Sequence, residues 1–246
     1  SVSDKRDDFI LKGAMLFAVW RDDPFRPTRD LDLLGHGDPA PAEIAASIRT
    51  ICTVDAADDG VVFDADAIRA APIRDEAEYG GVRVRTNATI AGARIPIQID
   101  VGFGDAVTPG AIEIEYPALL DQPSPVLRAY PPETVVAEKT EAIVSLGIGN
   151  SRMKDFYDIW ILSRSFAFDD DRLSRAIAAT FARRNTEIPT GLPDALTTDF
   201  AADEQKQRQW KAFIGDVALD PGTLADVIED LSAFLLPHAA VAAKLT

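Results

Sequence analysis

LKGAMLFAVWRDDPFRPTRDLDLL, Leu11–Leu34, ends on two acids, Asp30 and Asp32, that alternate with Leu31 and Leu33. In an extended strand successive side chains leave opposite faces, so the two acids share one face while the leucines anchor the other. Two carboxylates side by side repel, and a divalent metal carrying a phosphate chain relieves that repulsion. Upstream, Gly13-Ala14 opens an apolar segment that, after an extended entry, reads as helical within residues 9–20. Small residues at a helix start leave backbone N–H groups open to phosphate. Gly13 taken alone is better read as the end of a strand.

Working outward, the first half reads as a sheet with helices. A strand covers 30–34 and a helix covers 41–52, with Pro41 in its first turn. Asp58-Asp59-Gly60 marks a turn, and strands 79–90 and 94–103 join at Ala91-Gly92 as a hairpin. In the second of these strands Ile95, Ile97, Ile99 and Val101 share one face, while Gln98 and Asp100 take the other. Asp100 is thus a third acid on a strand. Neighbouring strands lie roughly 4.8 Å apart and paired catalytic metals roughly 3.5–4 Å apart. Asp30, Asp32 and Asp100 on adjacent strands can therefore bracket a metal pair, although a solvated sheet face carries such acids equally well.

Five prolines between 117 and 132 form a stiff connector and mark a domain boundary, dividing the chain into 1–125 and 126–246. The remainder reads as helices over 133–146, 152–165, 170–184, about 203–215, and 222–236. In the first of these, Lys139 falls within the apolar arc of Val135, Ala142, Ile143 and Leu146, away from the acidic face of Glu138 and Glu141. An inward lysine calls for a phosphate or a carboxylate, unless its stem covers the core and its amine reaches water. In NSRMKDFYDIW, Asn150–Trp160, the residues Lys154, Asp155 and Asp158 share a narrow polar arc. Spacing favours an i,i+4 Lys154–Asp158 surface pair worth roughly 0.3–0.5 kcal/mol over an acid and a base beside a cleft.

A chain of 246 residues, 47% of them hydrophobic, supports a substantial core. A net charge of −15 argues against broad adhesion to nucleic acid or membrane, leaving only local basic patches at Arg83, Arg85 and Arg94 and at Arg183-Arg184. The single cysteine, Cys52, rules out an internal disulfide and suits a reducing cytoplasm; it reads as a core residue. His36 and His238 are too far apart in sequence for a zinc site, and His36 reads as a loop residue. No apolar run approaches the ~20 residues of a membrane span. No basic leader precedes a hydrophobic block, and Ser1 reads as a processed or trimmed start.

Taken in order, these features resemble the nucleotidyltransferase superfamily, and more closely the AbiEii toxin family with its MenT-type members. The blocks that carry the resemblance are LKGA (Leu11–Ala14), RPTRDLDL (Arg26–Leu33), IDVGFGD (Ile99–Asp105), YPPETVVAEKTEA (Tyr130–Ala142) and NSRMKDFYD (Asn150–Asp158). The resemblance implies an α/β (α+β) fold: a polymerase-β-like core of mixed sheet and flanking helices, then a C-terminal helical domain that completes an active cleft. It implies Mg²⁺-dependent (or Mn²⁺-dependent) transfer of a nucleotide monophosphate from an NTP, with release of pyrophosphate. In MenT-like members the acceptor is the 3′ end of tRNA, which blocks translation, and a separately encoded antitoxin neutralises the toxin.

Carried over by position, Asp30, Asp32 and Asp100 are the metal acids, and Asp100 also helps deprotonate the attacking hydroxyl. Lys139 contacts the triphosphate, and Asp158 or Asp155 is the later acid. Lys12, Gly13, Ala14, Arg26, Thr28 and Lys154 complete the nucleotide site. Where relatives have Gly-Gly or Gly-Ser, this chain has Gly13-Ala14, which keeps the N–H but lacks a hydroxyl. The resemblance implies a cytoplasmic enzyme with no membrane partner. The acidic charge keeps open a protein or small-molecule acceptor, and Ala14 keeps open a non-catalytic binding relative.

Overall fold

The computed structural model describes residues 1–20, 28, 30–55, 59–73, 80–118 and 121–245. These divide into a sheet unit, reaching Asp105 and resuming from Ala111 to Tyr130, and a helical unit of Ala106–Gly110 and the chain from Pro131 onward.

Among the described residues the sheet unit holds eight strands: β1 (Phe9–Lys12), β2 (Asp30–Gly35), β3 (Val61–Phe63), β4 (Arg69–Ile73), β5 (Gly81–Ile90), β6 (Ala93–Phe103), β7 (Ile112–Glu115) and β8 (Val126–Ala129). Their order is β3-β5-β6-β2-β1-β8-β7, with β4 also paired to β5. Two pairings, β2 with β6 and β1 with β8, are parallel, and the others are antiparallel, so the sheet is mixed. Two helices belong to this unit, α1 (Phe17–Trp20) and α2 (Pro41–Cys52).

Alternation explains which face of the sheet is buried. In β5, Val82, Val84, Thr86 and Ala88 are buried, and the intervening Arg83 and Arg85 are not. The register places Val101 between Val82 and Leu33, and Ile99 between Val84 and Leu31. Ile44 and Ile48 of α2 cover that apolar face. Each fully buried branched side chain contributes roughly 1.5–3 kcal/mol. A one-residue slip would drive Asp32, Asp100 and Arg83 into this core, so burial of one face specifies the register. Ala91 (φ 47°) and Gly92 (φ 81°) form the expected two-residue hairpin turn.

The helical unit contains α3 (Pro132–Leu146), α4 (Met153–Ser165), α5 (Asp170–Arg183), α6 (Thr198–Ala202), α7 (Glu204–Ile214) and α8 (Leu224–Ala242). Helix α3 touches both α4 and α5, which explains why Glu141 is buried alongside Val136 and Ile143. Asp169 caps α5 by accepting from the Arg172 N–H, and acids fill its first turn. Among the described residues no helix is long and apolar enough to cross a membrane.

Several expectations are corrected. Residues 9–12 form a strand, followed among the described residues by a four-residue 3-10 turn and the four-residue α1. The sheet unit extends past residue 125, because Leu11 of β1 recruits Ala129 of β8 in parallel register. The last helix runs through Pro237 to Ala242: the proline removes one hydrogen bond, and burial of His238, Ala239 and Ala242 carries the helix on.

Candidate functional site

Lateral partners in a sheet project from the same face. On the face opposite α2, one row crosses four strands: Lys12 of β1, Asp32 of β2, Asp100 of β6 and Arg83 of β5. A second row sets Gln98 between Asp30 and Arg85. The three acids therefore lie on one half-buried face, Asp32 and Asp100 directly abreast and Asp30 one step along the strand.

The neighbours of these acids are specific. Arg83 donates to Asp100 as a fork, Nε to Oδ1 at 2.8 Å and Nη2 to Oδ2 at 2.7 Å. Gln98 Nε2 donates to Asp30 Oδ1 at 2.9 Å. Lys12 Nζ lies 2.6 Å from Asp105 Oδ2 and 5.1 Å from the centre of the Tyr130 ring. Lys12, read from sequence as a nucleotide contact, is thus tied into an ion pair within the sheet unit.

Gly13 ends β1 with φ +72°. A Cβ placed there would overlap the Asp32 carboxylate. The glycine therefore serves two needs: a left-handed backbone conformation and a close approach of chain to acid. The expected helix start for phosphate is replaced by a 3-10 turn over Gly13–Leu16 that contains Ala14. Gly13→Ala should lower unfolding free energy by about 1–2 kcal/mol from its backbone angle alone. Nucleotide transfer should fall further than this loss of stability accounts for, because the methyl group displaces Asp32. Urea unfolding and label transfer measured side by side would show it; unchanged transfer would refute the close-approach role.

The donor set, carboxylate oxygens sharing one face, fits a hard divalent cation. As the side chains stand, however, no group of three or more His, Cys, Asp or Glu among the described residues is disposed to hold a metal ion. Both Asp100 oxygens lie in the Arg83 fork, and one Asp30 oxygen is on Gln98. The expectation of three convergent acids is corrected to that extent.

In the helical unit Lys139 is 13% exposed and meets two carboxylates, Asp155 Oδ1 at 2.7 Å and Asp158 Oδ2 at 2.8 Å. Carboxylates satisfy this inward lysine. Burial pushes the Lys139 ammonium toward neutrality, but Asp155 and Asp158 outweigh that and hold its pKa above the ordinary lysine value. At neutral pH it is a cation. Arg152 Nε stands 2.7 Å from Asp155 Oδ2, close enough to pair in charge but not aligned as a hydrogen bond. Two cations and two anions thus balance. Asn150, fully buried, pins the turn before α4: its Oδ1 accepts from the Arg152 N–H, and its carbonyl accepts from Lys206 Nζ.

The Lys154–Asp158 surface pair is corrected, since Asp158 is 1% exposed and bound to Lys139. α4 buries Asp155 and Asp158 together because the two are three residues apart and so lie on one helix face. Lys154 is exposed and lines a cavity of about 590 Å³ with Ser151, Gln209 and Phe213. The acidic face of α3 is covered too: Arg184 Nη1 bonds Glu141 Oε2 at 2.7 Å, which removes half of one candidate basic patch. Thr28 is exposed, with its hydroxyl 3.4 Å from the Asp30 carbonyl. Arg26 lies outside the described residues. His36 is exposed in a loop, and burial raises the pKa of the half-buried Cys52 thiol.

Sequence reasoning named Arg83 only as part of a local basic patch and gave Asp105 and Arg152 no role of their own. A signal existed for Arg83, since counting back from the two-residue turn at Ala91-Gly92 puts it opposite Asp100. Asp105 offered no local signal.

The family model described as "Nucleotidyl transferase AbiEii toxin, Type IV TA system" matches residues 1–235. No curated protein matches the chain. Among solved structures, JHP933 from Helicobacter pylori is 16% identical, with 97% of this chain and 84% of that one covered at a TM-score of 0.46. A second H. pylori structure, provisionally assigned as a nucleotidyltransferase, is 15% identical over 97% of this chain and 87% of that one, at 0.45.

Proposed function

The chain belongs to the AbiEii family of nucleotidyltransferase toxins, and from that premise we propose that its nucleotide acceptor is the 3′ end of tRNA. The enzyme takes an NTP as substrate and belongs to a toxin–antitoxin system, so an antitoxin is its partner. The observation that supports a reaction on the sheet unit is the shared face of Asp30, Asp32 and Asp100, with Asp32 and Asp100 in direct register.

Nucleotidyltransferases use a divalent metal, which neutralises the triphosphate and polarises the α-phosphate for attack. Asp30 and Asp32 would hold Mg²⁺ or Mn²⁺, and Asp100 stands next to them as the third acid. The acceptor hydroxyl oxygen would bond to the α-phosphorus as pyrophosphate leaves, and Asp100, once released from Arg83, would accept the hydroxyl proton. Gly13 and Ala14 bring the backbone close to Asp32 and to the phosphates. Lys139, kept cationic by Asp155 and Asp158, supplies positive charge for the triphosphate. Arg26, Thr28 and Lys154 retain the nucleotide-contact roles implied by their motifs.

The test is incubation of the full chain with Mg²⁺, each labelled NTP in turn and total tRNA. One NTP should label an RNase-sensitive band. No labelled tRNA with any NTP defeats the acceptor proposal. An RNase-resistant protein band labelled in a lysate would instead assign a protein acceptor, a reading that the −15 net charge favours.

A further inference from the structure

We infer that Arg83 is a positioning residue that withholds Asp100 from the metal, so that the acid face as folded offers a two-acid site of Asp30 and Asp32 with the third acid in reserve. The inference rests on the proposed reading of that face as the metal site. Asp100 and Asp32 are lateral neighbours on β6 and β2, close enough in register to share a cation. Yet both Asp100 oxygens accept from the Arg83 fork, which leaves that acid neutralised in place. Arg83 stands at the end of the same row, its side chain 35% exposed, on the strand next to β6. The hairpin turn fixes this placement, since β5 and β6 pair continuously from Ile90–Ala93 to Val82–Val101.

The fork has two consequences for an arriving cation. It places a positive charge one strand away from the acids, and it requires an exchange of partners before Asp100 can become a ligand. Removing it should therefore strengthen metal binding, whereas loss of a merely structural contact would weaken it.

Mn²⁺ binding to the full chain, followed by calorimetry or by loss of the free-ion paramagnetic signal, tests this without recourse to activity. Arg83→Gln should bind Mn²⁺ roughly fivefold tighter or more, the order expected when a unit charge is removed a few ångströms from the ion. Arg83→Lys, which keeps the charge but cannot engage both oxygens, should fall between the two and guards against misfolding of the first variant. Asp100→Asn should weaken Mn²⁺ binding in the parent chain less than Asp32→Asn does, and should erase the gain when combined with Arg83→Gln, a coupling that only a shared partner produces. Equal or weaker Mn²⁺ binding in both Arg83 variants overturns the inference. So does a loss on Asp100→Asn in the parent as large as that on Asp32→Asn, or the absence of Mn²⁺ binding from the parent and the Arg83 variants alike. If Mn²⁺ binding tightens as expected while tRNA remains unlabelled, the role of Arg83 stands and the acceptor reading falls.

Discussion

Asp32→Asn should abolish nucleotide transfer and leave the fold unharmed. Asp32 lies in the middle of the polar row, with Lys12 on one side and Asp100 on the other, and Gly13 is bare so that the chain can pass close to its carboxylate. Asparagine has the same shape and keeps one carbonyl oxygen but carries no charge. A charge fixed at a reacting centre is worth about 10²–10³-fold in rate when removed, and an acid that also ligates the metal should lie at or above that range. Stability should move the other way, if at all, because one of two abreast carboxylates is gone and their repulsion with it. The measurement pairs label transfer with urea unfolding, and growth on induction serves as the cellular readout. The parent should arrest growth and the variant should not. Transfer within tenfold of the parent, in a variant that folds, would remove Asp32 from the chemistry.

Lys139→Met should be among the most destabilising single changes in the helical unit. The lysine stem would be replaced by one of similar volume, so little packing is lost. What remains is Asp155 at 0% and Asp158 at 1% exposure, without the ammonium 2.7–2.8 Å away. Breaking a buried pair by removing one partner costs about 3–5 kcal/mol, because the remaining carboxylates lose the ammonium they share. Arg152 still faces Asp155 and keeps the loss from being larger. Unfolding followed by fluorescence of Trp160 and Trp210, both in the helical unit, reports on the right part of the chain. Neutralising all three positions (Lys139→Met with Asp155→Asn and Asp158→Asn) should restore much of the lost stability, while nucleotide transfer should stay below that of the parent, which separates charge balance from function. A loss under 1 kcal/mol in the single variant would show the cluster to be far more hydrated than its burial implies.

The pH dependence follows from the raised Lys139 pKa. A raised folded value means that its stabilisation is fully present below the unfolded lysine value, roughly 10.4. It is lost only as pH climbs through the higher folded value. Between pH 7 and 9 this cluster should contribute a constant amount.

Much of this was legible in the chain because alternation is local. V-R-V-R in β5, I-Q-I-D-V in β6 and D-L-D-L in β2 each declare a buried and a polar face, and the two-residue turn at Ala91-Gly92 sets the pairing of β5 with β6. The helices from Pro132 onward were equally readable from their caps and periodicity, apart from the five-residue α6 and the run of α8 past Pro237. The four-residue strands β1, β7 and β8 were not, because so short a segment holds barely two repeats of a strand pattern and takes its structure from its partners.

The amino-acid sequence by itself carried the resemblance to the family through its motif blocks, and spacing along one element gave the shared face of Asp30 and Asp32 and the inward lysine. Tertiary structure decided who answers those charges: Asp105 for Lys12, two carboxylates for Lys139, and for Asp100 the Arg83 fork, of which the hairpin turn had set only the register. The physical reason is that a spacing rule says where a side chain points. Its partner comes from another strand or helix, and which one arrives is set by how the buried faces pack.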